Sequence, residues 1–247
     1  MYPRIKIELE ELLNLRLGIR PTVLLLKNRS TFQRMVGNNF YVAFAVPDKD
    51  LVVIDHSQMR TRPFSLQIIL KHELCHLLLH EHVGGPALPK WLDEGICQWA
   101  SDGIGELLTE RGLTPLDQAT LSGNYMRIRT LTESFPGDKE SLMLAYEESK
   151  SLVEYINSTF GREAIRNILA HLKDGDGVEA AVLKSLSIPL DELEARWRDD
   201  LGKRTTWFTY VAANLYQILF FLAALITMGG FIRLVRRKRG YEDDPEG

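Results

Sequence analysis

His72 and His76 stand four residues apart in a stretch, Phe64 to His82, that holds neither glycine nor proline. Such a stretch reads as one long helix. On a helix, residues four apart share a face and lie about 6 Å apart along the axis. Two imidazoles so placed reach a single metal ion. Glu73, one residue past the first histidine, points beside that ion, where it can take a proton from an attacking water. The remaining faces carry Leu66, Ile69, Leu70 and Leu77 to Leu79. Polar side chains buried among them must find partners. Metal ligation satisfies them, and a hydrogen-bonded pair of core histidines is the bland alternative.

Catalytic zinc takes three protein ligands, such as two His and one Glu, and leaves a fourth position open. The chain offers two candidates for the third. Gly84-Gly85-Pro86 ends the histidine helix, and Pro89 opens a second helix over Lys90 to Ser101. Glu94 lies on that helix, 94 − 76 = 18 residues after His76, far enough for the helix to come back alongside the first. His82 lies 82 − 76 = 6 residues after His76, the spacing of the metzincin motif HExxHxxGxxH. Where that motif has a helix-breaking Gly, this chain has Leu79, which does not readily take a positive φ. An unbroken helix would carry His82 about 15 Å along the axis from His72, on another face. The expectation is therefore that Glu94, not His82, completes the site.

HELCHLLLH followed by LPKWLDEGICQW resembles the gluzincin peptidases, in particular the peptidase MA-like domain. The resemblance spans Leu51 to Leu201 and is strongest over Ile68 to Ser101. Ala145 to Ser149, Leu152 to Ile156 and Phe160-Gly161 resemble the helix that follows the active site, and Leu190 to Leu201 with Trp197 resembles the closing helix. Cys97 departs from the small apolar residue usual there, though cysteine is small and soft enough to pack. The resemblance implies hydrolysis of peptide bonds, with His72, His76 and Glu94 as ligands of one zinc ion and Glu73 as general base. It also implies a downstream donor to the oxyanion, for which Tyr146 is the candidate, the alternative being packing. Asp93 either orients a ligand histidine or is solvated. His80 continues the His72/His76 face, either behind the ligands or as an exposed helix-end residue. Cys75 and Cys97 fall beside the ligands and read as two unpaired buried thiols rather than a bridge. His56 and His171 take no role.

Elsewhere the pattern is that of an α+β chain: a small N-terminal sheet followed by a mainly helical metallopeptidase core. A helix is expected over Ile5 to Leu17, a strand over Thr22 to Leu26, and a strand pair over Phe40 to Val46 and Leu51 to Ile54 around Pro47 to Asp50. Either of the latter strands can serve an extended peptide as a docking edge. From Ser141 onward helices follow one another, broken at Gly161, at Asp174 to Gly177 and at Pro189. The peptidase domain is expected over residues 1–204. Thr205 to Ile232 holds no charged residue and is expected to be a transmembrane helix, with a buried core helix as the alternative. Residues 233–247 form a basic, then acidic, tail that reads as disordered at its end. The arginines after the helix place the tail in the cytoplasm and the catalytic domain outside a cell membrane. Against this, Arg196, Arg198, Lys203 and Arg204 flank the other end, and the N-terminus shows no signal peptide.

Thirty Lys+Arg against thirty-three Asp+Glu give no electrostatic case for nucleic acid. The expected partners are a peptide or protein substrate and the membrane. Two other functions fit the same residues: a catalytically inactive relative acting as a scaffold, and a hydrolase using the site on a small molecule.

Overall fold

The computed structural model describes residues 1–37, 41–60, 65–84, 88–102, 114–213 and 215–242, with backbone alone for 60, 205–213, 232 and 234–242. Phe40, Phe64, Gly85, Pro86 and the tail beyond 242 lie outside the described residues. The elements run α1 (Tyr2–Leu13), β1 (Thr22–Leu26), α2 (Arg29–Val36), β2 (Ala43–Val46), β3 (Leu51–Asp55), α3 (Leu66–Val83) and α4 (Lys90–Ser101). They continue with α5 (Pro115–Ser122), α6 (Lys139–Phe160), α7 (Arg162–Lys173), α8 (Val178–Leu186), α9 (Leu190–Ala213) and α10 (Leu215–Glu242). The chain divides into two units, Met1–Asp199 and Asp200–Gly247.

Two local departures from the sequence reading have plain causes. The first helix stops at Leu13 rather than Leu17 because Asn14 takes the left-handed conformation, φ 55°, which suits Asn better than most residues. A short helix, α2, stands where the sequence reading placed no element. The Asn28 side chain accepts from the Thr31 amide at its start, and Gly37, φ 75°, closes it.

The sheet has the order β1-β3-β2. β1 and β3 are parallel, with Val23 opposite Val52, and α2 lies in the crossover between them. β2 and β3 are antiparallel, with Phe44 opposite Val53. Central β3 is therefore the most buried, and Val52, Val53 and Ile54 are fully enclosed. β2 is an edge strand. Arg29 ties this corner together, donating from Nη1 to Asp55 Oδ2 and to the Tyr41 carbonyl, both at 2.9 Å.

Helix α3 packs on the sheet on one side and on α4 on the other, and α4 in turn packs on α6. Nearly every residue of α3 from Ile69 to Leu79 is buried, so the helix has no solvent face over the histidines. Each fully enclosed Leu or Ile in it contributes about 1.5–3 kcal/mol of burial free energy. The α4–α6 contact is closer still. A Cβ on Gly95 would stand 2.4 Å from the Ser149 carbonyl oxygen and 2.8 Å from Val153 Cγ2. Gly95 is thus a packing requirement, since no side chain fits between the two backbones.

In the second unit, α9 runs through residue 204 to Ala213 and α10 starts at Leu215, with residue 214 outside the described residues. Among the described residues no helix is long and apolar enough to cross a membrane.

Candidate metal centre

Gly84 ends α3 with φ 86°, its amide donating to the His80 carbonyl, and α4 starts at Lys90 behind Pro89. The two helices lie side by side. His72 and His76 face α4 from α3, and Glu94 faces α3 from α4.

The ligand-type atoms of these residues converge. His72 Nε2 and His76 Nε2 are 3.0 Å apart. Glu94 Oε2 lies 3.4 Å from the first and 3.5 Å from the second. Zinc held at about 2.0–2.1 Å by tetrahedral ligands sets those ligands roughly 3.3 Å apart. The three separations thus form one face of such a tetrahedron. Glu94 Oε2 is buried and makes no hydrogen bond among the described residues. A buried anionic oxygen in that state requires a cation. The three residues form a group that can hold a metal ion, and the donor set, two imidazoles and one carboxylate, suits zinc.

The next layer orders the ligands. His76 Nδ1 lies 2.7 Å from Asp93 Oδ1. Burial opposes the charge on Asp93, but His76 and the hydrogen bonds from His76 and His80 hold its carboxyl well below the usual carboxylate range. An ionised Asp93 only accepts, so His76 carries a proton on Nδ1, which leaves Nε2 as the ring atom that would meet a metal. Asp93 is therefore an orienting group, not a solvated one. Its other oxygen lies 3.3 Å from His80 Nε2, which places His80 behind the ligands. Burial likewise opposes ionisation of Glu94, and His76, Lys90 and His72 hold its carboxyl well below the ordinary value. On His76 the same carboxylates outweigh burial and raise the imidazole's affinity for a proton.

Glu73 is buried beside His72, and burial raises its carboxyl above the ordinary value. Tyr146, on α6, has its phenol pushed up, first by burial, then by Glu94 and by a hydrogen-bonding neighbour, Tyr41. Both residues line a cavity of about 610 Å³ that also holds the three converging ligands. Val42 and the β2 residues Ala43 to Ala45 form part of its wall, with Leu142 and Met143 of α6 nearby.

His82 neither lines this cavity nor belongs to a group of converging ligand atoms among the described residues. Helix α3 runs unbroken through Leu79 to Val83, so its pitch carries His82 away from the site. Cys75 and Cys97 are both free and buried. Burial raises the Cys97 thiol well above its ordinary value, as befits packing rather than reactivity.

Three residues of the site were not legible in the sequence. Lys90 reads as an exposed helix-start cation, yet its Nζ lies 2.7 Å from Glu94 Oε1. Tyr41 had no signal beyond its place in the expected strand Phe40 to Val46. Gln98 is one turn past Glu94 and is fully buried. Its amide donates to the Tyr146 carbonyl at 3.2 Å. The four-residue spacing Lys90–Glu94–Gln98 was the available clue, since it puts all three on one face of α4.

No curated protein matches the sequence. Residues 37–203 match the family model for the peptidase MA superfamily, a range that starts just ahead of β2 and takes in both ligand helices and α6. With two thirds of its length so matched and the metal-ligand geometry of a metallopeptidase at the centre of that range, the chain belongs to the peptidase MA superfamily.

Proposed function

We propose that this protein is a membrane-anchored zinc peptidase that hydrolyses peptide bonds. The observation that carries the reading is the convergence of His72 Nε2, His76 Nε2 and Glu94 Oε2 within 3.5 Å of one another, on the wall of a cavity bordered by an edge strand. Zinc, when bound, supplies Lewis-acid polarisation of the scissile carbonyl and lowers the pKa of a water at the site to about 7. Glu73 takes the proton from the attacking water and returns it to the leaving amine. Its burial keeps that proton from bulk solvent. Tyr146 donates its hydroxyl to the oxyanion, with Tyr41 holding the phenol in place. The free edge of β2 receives an extended peptide through main-chain hydrogen bonds, so that residues of the substrate point alternately into the cavity and away from it.

The anchor is the uncharged run Thr205 to Ile232. Within α10, Tyr216, Phe220, Phe221, Ile226 and Phe231 are exposed and fall on every side of the helix, a distribution that suits a lipid surround better than a protein groove. The arginines from Arg233 to Arg239 put the tail in the cytoplasm and the peptidase unit outside. Protease added to intact cells should therefore digest the catalytic unit, and full protection would reverse this topology.

Glu73→Gln decides the catalytic reading, because it removes the base and leaves the ligands. The purified variant should keep one zinc per chain and lose at least ~10²-fold in kcat on a peptide library. Retention of more than about a tenth of wild-type turnover would remove Glu73 from the mechanism. A wild-type chain that binds zinc but cleaves nothing would favour the scaffold reading.

A further inference from the structure

We propose that Lys90 is a positioning residue that sorts the two oxygens of Glu94, fixing one and leaving the other to the metal. The inference rests on the metal-centre reading above. Glu94 Oε1 is taken by Lys90 Nζ at 2.7 Å. Glu94 Oε2 has no hydrogen bond among the described residues and lies beside both ring nitrogens. A carboxylate with two equivalent oxygens can chelate an ion through both. Here one oxygen carries an ammonium and is turned outward, so Glu94 offers a single donor atom.

The helix itself gives no reason for a lysine at this place. Lys90 is the first residue of α4, where the positive end of the helix dipole disfavours a cation. A lysine four residues before a glutamate is also the weaker of the two orders for a helix-surface pair. What the position offers is reach. Lys90 Nζ touches Glu94 and comes within 3.9 Å of Asp93 Oδ2, so a single ammonium stands against the outer oxygens of both the ligand and the residue that orients His76. Three buried carboxylates, Glu73, Asp93 and Glu94, crowd this site. The ammonium offsets part of their mutual repulsion without occupying the space between the histidines.

The effect should be read on metal binding, not on turnover alone. In detergent-solubilised full-length protein, Lys90→Met should weaken zinc about 10–100-fold in chelator competition, the usual cost of removing a group that orients a ligand. Cobalt(II) substituted for zinc reports coordination number. The wild type should show the more intense visible absorption of a four-coordinate ion. Lys90→Met should show the weaker spectrum of a five-coordinate one, as Glu94 turns to bind through both oxygens. Lys90→Arg should restore the wild-type spectrum and most of the affinity, and Lys90→Gln should fall between, giving a second reading if the Met variant does not fold. Wild-type affinity and spectrum in both Lys90→Met and Lys90→Gln would overturn the proposal while leaving the metal centre intact. Failure of the wild type to bind one zinc or cobalt would overturn the metal centre, and this proposal with it.

Discussion

Two buried carboxylates in this protein face the same problem and solve it in opposite ways. Glu94 of α4 and Glu148 of α6 are both buried, and each has one oxygen, Oε2, without a hydrogen bond among the described residues. Around Glu94 stand two imidazoles and Lys90, and these hold it ionised against the pull of burial. Around Glu148 the partners are of another kind. Its Oε1 accepts the Met126 amide at 3.1 Å, and the nearby Arg198 is already paired with Glu194 and donates to the Met126 carbonyl at 2.9 Å. Burial wins there and raises Glu148 to about 7. A lone buried carboxylate oxygen thus ends either protonated or beside a cation. Only the second outcome, with ring nitrogens converging on the same point, makes a site. Glu148 and Glu194 instead pin the segment Tyr125 to Ile128 onto α6 and α9 through its main-chain amides.

The contrast breaks most sharply at Glu94. Glu94→Ala should abolish zinc binding at sub-micromolar free metal, whereas His82→Ala should leave zinc content and activity near wild type. Metal analysis of the two purified variants tests this, and the reverse pattern would make His82 the third ligand. A smaller effect is expected at Tyr146, which belongs to the same cavity without holding the metal. Tyr146→Phe should lower kcat on the order of 10²-fold with little change in KM. Unchanged kinetics would leave Tyr146 a packing residue.

The smallest effect falls on stability rather than catalysis. Glu148 keeps its proton to about pH 7 in the folded chain, against an ordinary value of 4.5. The folded state therefore binds the proton more tightly than the unfolded one. Its contribution is fully present below about pH 4.5 and is lost as pH rises toward 7, a change of up to about 3 kcal/mol. Glu148→Gln mimics the protonated form. It should be more stable than wild type at pH 8 by about 1–3 kcal/mol, close to it at pH 4.5, and unchanged in zinc content. Equal denaturant midpoints for the two proteins at both pH values would mean that Glu148 does not titrate in this range.

The sequence exposed what is encoded by spacing. His72, Glu73 and His76 follow from one helical turn, and the exclusion of His82 follows from Leu79 standing where a break was needed. Glu94 required the resemblance as well, because eighteen residues of separation allow many geometries. The strand pair was legible from its turn, but not the order β1-β3-β2, since short apolar strands carry no mark of their neighbours. Lys90 looks like a surface charge in a linear reading, and Asp93 reads equally as an orienting group or a solvated one. Their contacts arise only when α3 lies against α4, which is why the layer behind the ligands was less legible than the ligands themselves.

Gly95 sets the mechanical tolerance of all this. The residue after the ligand Glu94 has no side chain and is clamped against the Ser149 carbonyl. Helix α4 therefore moves with α6, while the two histidines ride on α3. A single methyl group on Gly95 would push α4 off α6 and so shift Glu94 against the two histidines. Room for that methyl would displace Glu94 by ~1 Å, an error that costs an active site about a hundredfold. The accuracy of the metal centre is thus fixed at a position that touches neither metal nor substrate, and one that has no atoms of its own with which to compensate.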